Sequence, residues 1–249
     1  MSPVPATVPR RLWQIAGAFA IAHIILIPVG IALQQSPLFV DGVDGIESRY
    51  VEGDFGRSLT GWMLESVGFL LLVPALVFLA RALGRRTEAG RWAAQSGLVC
   101  GAAYVAVTFA VGFPAGAVAM YGAQHGLDVD TAFALNNLRI FAYFLSLMLL
   151  AGSTLGIAFS ALADGVHRRW VGGFGVVTGA GLLVSTPLSV VNLQDLGTLV
   201  WMVWFLGLGV LMLRHREPEL DSERDPGPDR EQVSHDPVSV PSGTRIGQA

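Results

Sequence analysis

The chain has 249 residues, of which 52% are hydrophobic and only 14% charged, and its formal net charge is −3. Soluble domains carry about 25% charged residues. This composition therefore belongs to the membrane class, and the small net charge argues against a nucleic-acid partner. A single cysteine, Cys100, excludes an intrachain disulfide and a cysteine-only metal site, and no cofactor is expected.

Six apolar segments approach the roughly 20 residues that a bilayer demands. The sequence thus predicts an all-α, polytopic membrane bundle of six transmembrane helices over 12–213, between a cytoplasmic N-terminus (1–11) and a disordered tail (214–249). The first span, 12–34, is too long for a signal-peptide core and lacks a small-residue cleavage site after it. It carries His23. The outer loop that follows holds Asp41, Asp44, Glu47, Glu52 and Asp54. Their spacing does not match a calcium-binding loop, and acidity is what an outer loop shows when arginine is kept inside, so no metal site is assigned.

The second span, 59–80, contains Glu65, flanked at −4 and +3 by Gly61 and Gly68. Those glycines put the carboxyl on a narrow face suited to helix contact. The third span, 92–117, presents Gly97, Gly101, Tyr104, Thr108 and Gly112 on one side. The fourth, 135–163, carries Asn136, Arg139, Tyr143, Ser146, Ser153 and Ser160 at steps of three, four and seven. Such steps return to one helix face, and polar groups at membrane depth turn towards protein or water. The fifth and sixth spans cover 170–190 and 196–213. Pro28, Pro74, Pro114 and Pro187 are expected to interrupt four of the six.

Arginine sets the expected orientation. Arg10, Arg11, Arg81, Arg85, Arg86, Arg91, Arg168, Arg169, Arg214 and Arg216 all fall at one set of span ends. The other set has only Arg49, Arg57 and Arg139, among many acidic residues. Both termini are therefore expected in the cytoplasm. Trp13, Trp92 and Trp170 should mark the inner ends, and Trp62 and Trp201 the outer ends, of an aromatic belt. Beyond Glu217 the tail is acidic, then rich in Pro, Ser and Gly, too poor in large apolar residues to offset its ordering entropy.

Counting about 1.5 Å per residue from the cytoplasmic ends puts His23 and Tyr104 near the midplane, Glu65 above them, and Tyr143 and Arg139 towards the outer rim. Together with Asn136 these residues form a candidate polar funnel opening outward. Arg139 is the expected charge partner of Glu65, with His23 second. Packing glue is the competing explanation of the same residues.

Chemical motifs are sparse. There is no Gly-Lys-Ser/Thr phosphate loop, the chain having no lysine, and no His-Glu-xx-His zinc motif. Ser153 in GSTLG has only His23 at comparable depth as a base, and nothing offers an oxyanion device. No catalytic residue is assigned.

Two blocks, SLTGWMLESVGFLLL and FLSLMLLAGSTLGIAFSALADGVHRRWVGGFGVVTGAGLLV, resemble the uncharacterised six-helix integral membrane proteins of bacteria, a domain of unknown function. The likeness covers most of 12–213 and implies the architecture without any activity. The sequence reading is thus a non-enzymatic envelope partner or regulatory protein of a bacterial plasma membrane, contacting lipid and a membrane-protein partner or a second copy. The alternative is a small-solute or proton-coupled carrier using the funnel.

Overall fold

A computed structural model of the chain describes residues 8–165, 169–187 and 193–215. Of the expected disordered tail, 214–249, residues 216–249 lie outside the described residues. Within them every element is helical. The long helices are α1 (Arg10–Gln34), α3 (Phe55–Ala82), α4 (Glu88–Val107), α5 (Phe113–Gln124), α6 (Val129–Asp164), α7 (Arg169–Ser185) and α8 (Leu193–Leu213), with a short α2 (Gly42–Ile46) in the first loop. A π-helical stretch, Thr108–Gly112, joins α4 to α5 into one rod.

Helix starts follow local chemistry. The side chains of Asp54, Thr87 and Asp128 accept hydrogen bonds from the amides of Arg57, Gly90 and Thr131, capping α3, α4 and α6. Gly165, at φ +60°, ends α6 in the left-handed region. The prolines divide into two groups. Pro28 and Pro74 lie inside α1 and α3. Pro114 lies inside the α4–α5 rod, just after its π-helical stretch, and Pro187 lies beyond the last residue of α7. Three of the four thus fall within a helical stretch.

Among the described residues, five helical stretches are long and apolar enough to cross a membrane: Arg10–Val51, Phe55–Ala82, Glu88–Gln124, Val129–Asp164 and Asp195–Leu213. The fifth predicted span is the shorter α7, of 17 residues. Packing runs in a closed ring: α1 on α3, α3 on α4, α4 on α6, α6 on α7, α7 on α8, and α8 back on α1. The centre is filled by Leu72, Tyr104, Leu147, Leu150, Trp204 and Phe205. The small face of α6, with Ser146, Ser153 and Ser160 all buried, turns into the bundle as its spacing predicts.

The tryptophans expected in an aromatic belt divide into buried and exposed ones. Trp62 and Trp201 are buried, and Trp201 donates its indole N–H to the hydroxyl of Thr154 at 3.0 Å. An indole inside a bundle needs a polar partner, and Thr154 supplies one for Trp201. Trp13 is buried too, while Trp92 and Trp170 are exposed.

At the arginine-rich end, Asp164 ties the α3–α4 turn to α6. Its carboxylate accepts from the amides of Arg85 (2.7 Å), Arg86 (3.3 Å) and Thr87 (3.1 Å) and from the Thr87 hydroxyl (3.0 Å). Burial pushes this carboxyl up, and these hydrogen bonds more than offset it, holding its pKa below the ordinary value.

Candidate functional site

Glu65 is placed by the antiparallel crossing of α1 and α3. A Cβ on Gly30 would stand 2.8 Å from the Gly61 carbonyl oxygen, and one on Gly61 would stand 2.6 Å from that of Gly30. The two backbones therefore touch, as glycine alone permits. Helix side chains lean towards their own N-terminus. Gln34 on α1 and Glu65 on α3 consequently lean towards each other, and the Gln34 amide donates to Glu65 Oε2. The Ser58 hydroxyl donates to the Gln34 carbonyl at 3.1 Å and closes the same end of the crossing.

Arg139 is placed from α6. Asn136, fully buried, accepts at Oδ1 from the Tyr50 hydroxyl (3.1 Å) and from Arg139 Nε (3.0 Å). Its amide donates to the Pro37 carbonyl (3.2 Å), which also accepts from Arg139 Nη2 (3.1 Å). The first loop is thereby strapped onto α6, and the Gln124 amide holds it to α5 through the Tyr50 carbonyl (2.9 Å). Gly116 faces the stem of Arg139 and the ring of Trp62, where any side chain would collide with both.

Between these two structures lies a cavity of about 820 Å³. Its walls are mostly apolar and aromatic, among them Ile31, Phe39, Phe113, Phe141 and Phe144, and its polar groups include Gln34, Arg49, Glu65, Arg139, Tyr143 and Asp195. Thr108 and Gly112, the two ends of the π-helical stretch, also line it. Phe69 closes one side, with its ring centroid 5.3 Å from that of Tyr104 and 5.9 Å from that of His23.

Of the six residues predicted for a polar funnel, Glu65, Arg139 and Tyr143 line this cavity. Asn136 sits behind the wall as the strap's anchor. His23 and Tyr104 lie beyond Phe69 in the core: His23 is 1% exposed, bonds through Nδ1 to the Gly68 carbonyl (2.8 Å), and meets the rings of Phe69, Trp201 and Phe205 edge-on. Glu65 and Arg139 face one cavity without pairing, their charged atoms remaining more than 4.0 Å apart. Ser153 packs against Gly101 and has no hydrogen bond to His23, so the two do not form a nucleophile–base pair.

Three cavity residues escape a reading of the sequence for membrane-depth polarity. Gln34, Arg49 and Asp195 lie at helix ends or in the loop, where polar residues are unremarked. For Gln34 there was a signal: it follows Gly30 by four residues, as Glu65 follows Gly61. Asp41 accepts from the Leu38 amide (2.8 Å) and pairs with Arg49 (3.1 Å). No family model, no curated protein and no solved structure matches this chain.

Proposed function

We propose that this chain is a six-span protein of a bacterial plasma membrane with both ends in the cytoplasm, akin to the uncharacterised six-helix proteins it resembles, and that it binds a small ligand in a cavity open to the outer side. The reading assigns no catalysis, and places the molecule among non-enzymatic envelope proteins. The observation that carries it is the cavity of about 820 Å³ that holds Glu65 and Arg139. Ligand pockets run from about 300 to 1,000 Å³, with mainly apolar walls and a few convergent polar groups. A purely structural bundle would close such a space, because unfilled volume forfeits packing.

The orientation rests on the arginines at the Asp164 end and their scarcity at the cavity end. At 17 residues α7 stands at the lower limit of spanning length. A carrier is the second reading, favoured by one observation: the π-helical stretch Thr108–Gly112 lies in the cavity wall. Such segments concentrate at functional sites and bend the helix that contains them.

Cysteine labelling tests the whole reading. In a Cys100→Ala background, Thr108→Cys in the cavity wall should react with a membrane-impermeant thiol reagent added to intact cells. Leu72→Cys in the core should not react, and Arg85→Cys should react only after permeabilisation. Labelling of Arg85→Cys in intact cells reverses the orientation, and a silent Thr108→Cys removes the open cavity.

A further inference from the structure

The ionisable groups lining the cavity do not pair with one another. Among the described residues, the Glu65 carboxylate has only the neutral Gln34 amide as a hydrogen-bond partner. The Arg139 guanidinium donates only to the neutral oxygens of Asn136 and Pro37. Asp195 adds a second, exposed carboxylate, with no hydrogen bond or ion pair to the described residues, and Arg49 is already paired with Asp41 at 3.1 Å. The Glu65 carboxyl on α3 and the Arg139 guanidinium on α6 stay more than 4.0 Å apart, Glu65 placed by the Gly30–Gly61 crossing and Arg139 held by Asn136 and the strap.

The apolar part of the pocket continues to the surface. Ile31, Leu38, Phe39, Val40 and Phe141 line the cavity and are each at least half exposed. Ile31 belongs to α1, Phe141 to α6 and the other three to the strap. Apolar side chains along part of the rim suit a mouth that opens outward with one edge against hydrocarbon.

We infer that the cavity takes a zwitterionic amphiphile. Its ammonium would lie at Glu65, its phosphate or carboxylate at Arg139, and its apolar chain across the exposed rim. The inference rests on the outward ligand-binding reading and names its ligand class. A purely anionic amphiphile would find Arg139 and meet repulsion from Glu65 and Asp195; a purely cationic one would leave Arg139 unanswered. The exposed rim makes the bilayer the favoured source, and a free apolar amino acid shares the same head chemistry.

The test is binding to the purified full chain in maltoside detergent, measured by calorimetry. The probes are lysophosphatidylethanolamine, a fatty acid of equal chain length, the matching alkylamine, and free phenylalanine. The lysolipid should bind roughly tenfold or more tightly than either singly charged chain, as expected for one further charge-assisted contact. Glu65→Gln should erase the advantage over the fatty acid, and Arg139→Gln the advantage over the alkylamine. Because Arg139 also holds Pro37, its variant is interpreted only if it remains folded, and Glu65→Gln carries the decision alone otherwise. Equal binding of lysolipid and fatty acid, or an advantage that survives Glu65→Gln, overturns the inference. A preference seen with phenylalanine but not with the lysolipid keeps the zwitterion chemistry and overturns the bilayer source. If no probe binds while Thr108→Cys is labelled from outside, the ligand class is wrong and the cavity reading stands. If that labelling also fails, both fall together.

Discussion

Replacing Gly61 with alanine adds one methyl group at the most crowded contact of the α1–α3 crossing. Its Cβ would lie 2.6 Å from the Gly30 carbonyl oxygen and 2.7 Å from the Gln34 nitrogen, whereas ordinary contact begins at 3.4 Å. Both neighbours are backbone atoms, so no side chain can swing aside. The helices must part by about 0.8 Å locally, and a gap of 0.5–1 Å forfeits a quarter to a half of each dispersion contact across it. Inserting a methyl into a packed contact costs about 1–3 kcal/mol, and alanine's better helix propensity returns at most about 1. We expect a net loss of about 1–2 kcal/mol, read as a lower melting temperature in detergent. Gly173→Ala is the matched control, because a Cβ there meets nothing within 4 Å. It should leave the melting temperature unchanged or raise it. If Gly61→Ala is as benign as Gly173→Ala, the crossing is not the tight contact described, and the account of how Glu65 is positioned fails with it.

Other expectations concern the strap and the opposite end of the bundle. Asn136→Leu removes the shared partner of Tyr50, Arg139 and the Pro37 carbonyl, and stranding such buried groups costs about 1–3 kcal/mol each. Faster proteolysis within the first loop should report it, and an unchanged digestion pattern would contradict the strap. Arg49→Ala should shift the melting temperature little, since the ion pair with Asp41 has side chains 38% and 24% exposed and such pairs contribute about 0–1 kcal/mol. Asp164→Asn sets an amide N–H₂ against the donors of Arg85, Arg86 and Thr87, at a cost of about 1.5–3 kcal/mol. Since the folded pKa of Asp164 lies below the ordinary carboxylate value of about 3.9, its contribution is complete above that pH and lost as pH falls through the folded value. The melting difference between wild type and Asp164→Asn should therefore be constant from about pH 5 to 8 and shrink only in strong acid.

Much of this architecture is written in periodicity. The step of three, four and seven that links Asn136 to Ser160 identifies the buried face of α6, because a helix returns to one side at those intervals whatever surrounds it. The glycines beside Glu65 likewise announce a close crossing. What periodicity does not contain is the partner. Arg139 is the natural match for Glu65 by charge, yet Gln34 takes that place because helix tilt and side-chain lean bring it nearer. His23 shares the depth of Tyr104 and is nonetheless cut off from the cavity by a single ring, Phe69. Depth along an axis is linear in sequence, whereas enclosure depends on which ring fills which gap. Trp62 and Trp201 illustrate the same point: their distance from a helix end suits an interface belt, and packing buries their rings inside the bundle.

The ring of helices also has a consequence for synthesis. Each of α3, α4, α6, α7 and α8 packs on the long helix made just before it, so assembly can keep pace with the ribosome. One seam is different. The flank of α1 that receives α8, where Gly17 lies against the Gly209 carbonyl and Trp13 stacks on His215, has no cover until residues 193–215 emerge. For most of translation the first helix must stay beside the growing bundle with one flank bare. A nascent chain stalled before α8 would carry an open side, and quality-control proteases that probe for unfinished helices would find it there.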